Sequence, residues 1–155
     1  MLRKVCGSRR NLLHRTEGSA AVEFAILGTV FILFLAGIID LGHAWYMKQV
    51  VTNASREGAR YGVIYKTNAS GNRVAPNALS PTIASYVSTN YLANTLLPAD
   101  AYPSVTPGGT GYSSTAKGAP LQVTVSATKN WFMLSMVPGM GTQRTLTATT
   151  VMQLE

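Results

Sequence analysis

From Phe24 to Ile39 the chain carries no charged residue, and apolar side chains dominate the stretch. As a helix it would span only about 24 Å, short of a hydrocarbon core of about 30 Å. Ser19–Val22 extend it backward past Glu23, and Leu41–Met47 extend it forward past Asp40. With these flanks, residues 19–47 are long enough to cross a bilayer. Trp45, Tyr46 and Lys48 then fall where aromatic and basic side chains gather at a membrane–water boundary.

The helical pattern continues beyond the apolar run. Residues 38–62 lack proline, and Ile38, Leu41, Trp45, Val51, Ala54, Gly58 and Tyr61 recur at roughly three- to four-residue spacing among polar positions. The pattern predicts one helix from about Ser19 to about Gly62, on the order of 65 Å long. Its outer half, residues 48–65, is amphipathic and needs a cover for its apolar stripe.

After Tyr65 the composition changes. Lys66–Ser80 is rich in Asn, Ser, Gly and Pro and reads as a loop. Ser80-Pro81 reads as an N-cap followed by proline at the first helical position. Ile83, Val87 and Tyr91, with Ala84 and Leu92, give this second helix an apolar face ending near Leu97-Pro98. Tyr102–Thr106 reads as a short strand, and Pro107–Pro120 as an exposed, flexible connection. Leu121, Val123, Val125 and Ala127 alternate with polar residues, the mark of a strand buried on one face. Leu146, Ala148, Thr150, Met152 and Leu154 alternate less cleanly with Thr147, Thr149, Val151 and Gln153 and read as a last strand. The expected class is α+β: a long membrane-spanning helix leading into a module with one further helix and a two- to three-stranded antiparallel sheet. The boundaries are 1–18 for a basic cytoplasmic leader, 19–47 for the membrane segment, 48–65 for the outer helix and 66–155 for the module. Such a module is small, so packing its sheet on the outer helix would complete its core.

Charge sharpens this picture. The net charge is +7, and residues 1–18 contribute +4 through Arg3, Lys4, Arg9, Arg10 and Arg15 against Glu17. A short basic arm before an apolar run is the layout of a topogenic signal whose Lys and Arg stay cytoplasmic. No basic–aromatic stripe follows, so no nucleic-acid partner is expected. Cys6 is the single cysteine; it precedes the apolar run, where a lipoprotein cysteine would follow one. It reads as a free thiol.

Catalytic and metal chemistry find no foothold. His43 has only Asp40 nearby at helical spacing, which reads as a surface hydrogen-bonded pair rather than a metal site. Gly108-Gly109-Thr110-Gly111 lacks the strand-to-helix context and lysine of a phosphate loop. Asn53-Ala54-Ser55 and Asn68-Ala69-Ser70 match a short glycosylation sequon and receive no function. No nucleophile elbow or carboxylate pair stands out. No enzyme activity, cofactor or metal is expected.

The informative string is Thr16-Glu17-Gly18-Ser19-Ala20-Ala21-Val22-Glu23-Phe24. A carboxylate near the start of a membrane helix is costly. In one reading Glu23 only snorkels to the cytoplasmic boundary. In the other, Gly18, a small residue after it and Glu five positions on form a processing signal, which resembles the prepilin-peptidase site of type IV pilin-like proteins. Cutting after Gly18 would make Ser19 the new N-terminus and remove the basic arm.

The likeness narrows further. Gly18–Phe24, the apolar run, Ile39-Asp40-Leu41-Gly42 and Asn53–Tyr61 resemble the TadE-like family of minor pseudopilins, as does the closing stretch Leu146–Glu155 more weakly. Gly28-Thr29 stands where many relatives carry a proline. The resemblance implies a pilin-like subunit that assists assembly of a tight-adherence pilus. It implies as partners a prepilin peptidase, other pilin-like subunits, the inner-membrane assembly platform and the lipid bilayer. It places the chain in the bacterial inner membrane as a single span, N-terminus cytoplasmic and module extracytoplasmic, with incorporation into a surface pilus as a further expectation. Glu23 in apolar surroundings would find its positive partner in the freed Ser19 amine of a neighbouring subunit, with Phe24 beside it in the recognition segment. The alternative is an uncleaved single-pass periplasmic anchor or adaptor. A secreted protein cut near Gly42-His43-Ala44 is disfavoured by Glu23 and by the length of the apolar run.

Overall fold

The computed structural model describes residues 13–93 and 95–155. Cys6 and most of the expected leader lie outside the described residues. The chain divides into two units, Met1–Ile39 and Asp40–Glu155.

A single helix, α1, runs over Leu13–Val63. It begins before the expected Ser19, because nothing between Leu13 and Gly18 breaks a helix. Gly18 itself costs only about 1 kcal/mol relative to alanine. In the first unit, the apolar side chains from Val22 to Ile39 are exposed around the helix, and the most apolar window has a mean hydropathy of 2.5. A helix apolar on all sides needs apolar surroundings. This helix is long and apolar enough to cross a membrane. Gly28-Thr29 lies within it without a break, and Thr29 Oγ1 donates back to the Ala25 carbonyl at 2.8 Å.

The second unit is the α+β module. Its inward helical stripe is Asp40, Met47, Val51, Ala54, Ser55, Gly58 and Tyr61. Val51, Ala54, Gly58 and Tyr61 agree with the sequence pattern. Leu41 and Trp45 do not: they are exposed, because the helix turns Asp40 toward the sheet.

The sheet has three antiparallel strands, β1 (Ser104–Gly108), β2 (Pro120–Asn130) and β3 (Gln143–Gln153), with β2 in the middle. Leu121, Val123, Val125 and Ala127 point inward as their alternation predicts. Across from them in β3 stand Met152, Thr150, Ala148 and Leu146. Each buried aliphatic side chain contributes about 1.5–3 kcal/mol, so β2 is the main apolar contributor from the sheet.

The helix meets this layer through glycine. A Cβ at Gly58 would lie 2.7 Å from Val87 Cγ2 and 3.2 Å from Val123 Cγ1, and one at Gly62 would collide with Leu121 and Ile83. Ser55 is fully buried but satisfied: its hydroxyl donates to the Thr52 carbonyl and lies 2.9 Å from Thr150 Oγ1.

The second helix is shorter than expected. α2 covers Ile83–Val87, and a wider turn continues it through Ser88–Leu92. Its cap is Thr82, whose hydroxyl accepts the Ser85 N–H at 3.2 Å. Ser80-Pro81 is a cis bond before the helix rather than its cap and first residue. Ile83, Val87 and Leu92 are buried as expected, and Tyr86 stacks on Tyr61 with centroids 4.0 Å apart.

The connection after β1 is tied down rather than loose. Pro107 and Gly108 belong to β1, Gly111 is buried, and the Gly111 N–H donates to the Pro120 carbonyl at 2.8 Å. Gly109 adopts a φ of +85° where the chain folds back against Gln122, a conformation that suits glycine.

Candidate functional site

Gly18, Ser19, Glu23 and Phe24 lie on consecutive turns of α1, all exposed. A Cβ at Gly18 would meet nothing within 4 Å. Ser19 and Glu23 are four residues apart and so share a face; Ser19 Oγ donates to Glu23 Oε1 at a long 3.4 Å. Such a bond is weak and holds neither group firmly. The helix thus brings Ser19 and Glu23 together and presents Phe24 to the side. Because α1 continues through Gly18, the Gly18–Ser19 peptide is helical, and an enzyme cutting there would have to unwind it.

A second constellation lies at the other end of the apolar run. Asp40 and Lys129 are only 3% and 4% exposed, and Lys129 Nζ lies 3.0 Å from Asp40 Oδ1. Asp40 also accepts a row of backbone donors. Its Oδ2 takes the N–H groups of Met133 at 2.8 Å, Phe132 at 3.0 Å and Leu134 at 3.2 Å. These N–H groups open the short turn Leu134–Met136, so a carboxylate from a distant helix caps it. Lys129 also donates to the Asn130 carbonyl and lies 5.3 Å from the Trp131 ring centroid.

This pairing replaces the expected Asp40–His43 pair. His43 Nε2 instead lies 3.4 Å from the Leu96 carbonyl oxygen, and the Tyr46 hydroxyl accepts the Leu96 N–H at 3.1 Å. Sequence reasoning missed Lys129, although a signal was present. It continues the inward phase of Leu121, Val123, Val125 and Ala127, so a charge was scheduled for the core. Asp40 is a charge closing an apolar run. Two opposite charges, each in an apolar frame, satisfy one another.

Among the described residues no group of three or more His, Cys, Asp or Glu side chains is arranged to hold a metal ion. Through the Lys129 ion pair and the three backbone N–H groups, the Asp40 cluster joins helix, strand and hairpin.

The family model described as TadE-like protein matches residues 18–60. No curated protein and no solved structure matches the chain. The match opens on Gly18, takes in the apolar run and Asp40, and closes on the glycine-bearing outer helix that packs against the sheet. Over residues 18–60, under half of its length, this chain is similar to the TadE-like family.

Proposed function

We propose that this chain is a minor pilin-like subunit that assists assembly of a tight-adherence pilus, made as a single-span inner-membrane precursor and cut between Gly18 and Ser19. The observation that carries the reading is the TadE-like match beginning at Gly18, on a helix apolar enough to span a bilayer. The five basic residues before the run keep the N-terminus cytoplasmic and send the module outward.

Each residue then has a task. Gly18 lowers helix stability where the peptidase must open the backbone, and its missing side chain leaves the bond accessible. Cleavage frees the Ser19 amine. Glu23 attracts that amine on a neighbouring subunit inside the apolar layer, where the alternative is an unpaired carboxylate. Phe24, beside it, supplies apolar contact area. The partners are the prepilin peptidase, other pilin-like subunits, the assembly platform and the lipid bilayer. The role is structural, with no catalytic step assigned to any residue.

A second reading, an uncleaved periplasmic anchor or adaptor, is favoured by one observation: α1 runs unbroken through Gly18. Intact-mass measurement separates the two. In cells with an active prepilin peptidase the protein should begin at Ser19, and Gly18→Leu should retain residues 1–18. A wild-type protein that keeps residues 1–18 would replace the pilin reading with the anchor.

A further inference from the structure

The link between β2 and β3, Trp131–Thr142, contains no charged residue: Trp-Phe-Met-Leu-Ser-Met-Val-Pro-Gly-Met-Gly-Thr. Water-facing hairpin links are ordinarily polar. Here Phe132 is 78% and Met136 73% exposed, with Val137 and Met140 also open. The link is nonetheless folded. The N–H groups of Trp131, Met136, Val137 and Met140 donate to carbonyls within the link, and those of Phe132, Met133 and Leu134 donate to Asp40. Seven of its backbone N–H groups are thus satisfied, four within the link and three by Asp40, which lowers the cost of leaving water.

The position of its anchor identifies what covers it. Asp40 directly follows Ile39, the last residue of the apolar run, and holds three consecutive backbone N–H groups of the link within 3.2 Å. Whatever surrounds Ile39 therefore begins beside the base of this link. Leu96, 80% exposed, is held to the next helical turns by its backbone contacts to His43 and Tyr46, where Trp45 is also exposed. Apolar and aromatic side chains from three segments thus gather around the first turns of helix after the run.

We infer that Trp131–Thr142, with Leu96 and Trp45, forms an apolar collar that lies in the outer boundary layer of the bilayer where the helix emerges. The inference rests on the membrane-spanning reading of the apolar run. Aromatic and methionine side chains suit that layer, taking apolar contact on one side and headgroups on the other. The collar holds the module at the membrane surface.

Single cysteines introduced as Phe132→Cys, Met136→Cys, Ile32→Cys and Lys117→Cys in a Cys6→Ser background test this. All four positions are exposed, so folding should be preserved. The full chain, one copy per nanodisc of phosphatidylethanolamine and phosphatidylglycerol, is labelled with an environment-sensitive fluorophore and titrated with nitroxide-bearing lipids. Positions 132 and 136 should be quenched several-fold more than position 117, which lines a cleft with Tyr65 and Arg73 beyond the other end of the outer helix. Position 32 reports on the span itself. Quenching at 32 but only background quenching at 132 and 136 would overturn the collar and leave the span standing. No quenching at 32 would overturn both. If 132 and 136 change environment only when two copies share a disc, a subunit contact replaces the lipid contact and the collar is refuted.

Discussion

Asp40→Asn is the most revealing single change in the module. The amide keeps the shape of the carboxylate but has one acceptor oxygen where the structure uses two. Its NH₂ group would face either Lys129 Nζ or the N–H row of Phe132, Met133 and Leu134, all donors themselves. Lys129, only 4% exposed, would keep a buried charge without its counter-charge. Breaking a buried ion pair from one side costs about 3–5 kcal/mol, a large part of the roughly 5–15 kcal/mol that holds a typical domain together. Across the sheet Lys129 also stands opposite Arg144, and like charges in directly opposed positions repel. Asp40 offsets that repulsion as well. Removing the lysine charge should restore part of the loss. Asp40→Asn combined with Lys129→Met should be more stable than Asp40→Asn alone, with a coupling energy of about 0.5–3 kcal/mol. Urea unfolding of the full chain in nanodiscs, in a Trp45→Phe background, would follow Trp131 as the single remaining tryptophan. Its ring lies beside Lys129, so its emission reports on the junction directly. A loss below about 1 kcal/mol for Asp40→Asn would show that water reaches the pair and screens it. Strict additivity in the double variant would show that the two charges do not act on each other.

Two other changes probe the helix–sheet seam and the assembly role. Gly62→Val should destabilise the module by about 1–3 kcal/mol through overpacking against Leu121 and Ile83; an unchanged urea midpoint would show that the seam yields freely. Glu23→Gln should be inserted and cleaved normally but co-purify poorly with other pilus components and lower piliation, with Glu23→Asp intermediate. Normal recruitment and piliation of Glu23→Gln would leave snorkelling as the account of this carboxylate.

The parts of the fold legible in the sequence are those governed by local periodicity. The inward phase of Leu121–Ala127 follows from a period of two, and the length of α1 from the absence of breakers between Leu13 and Val63. What escaped was set by partners distant along the chain. Asp40 was matched with His43 because they are three residues apart, whereas its partner stands 89 positions away on β2. That pair also fixes the helix rotation, which explains why Leu41 and Trp45 fell outside the buried stripe. The pattern Ser80-Pro81 points to a cap at Ser80, whereas it is Thr82 that has the hydroxyl in reach of Ser85. Gly18, Ser19 and Glu23, on which the proposed processing rests, are a short contiguous string that needs no tertiary partner, and the family match opens on the first of them.

The burial of Asp40 also sets a length. If the run spans a bilayer as proposed, the commitment of this carboxylate to the module makes Ile39 the last residue before the helix is tied to the sheet. A helix from Ser19 through Ile39 rises about 31 Å, against a hydrocarbon thickness of about 30 Å. For a subunit cut before Ser19, a thicker bilayer would then have to thin locally or pull on the junction. On the proposed reading, the ion pair would make the span a gauge of fixed length, sensitive to hydrophobic mismatch.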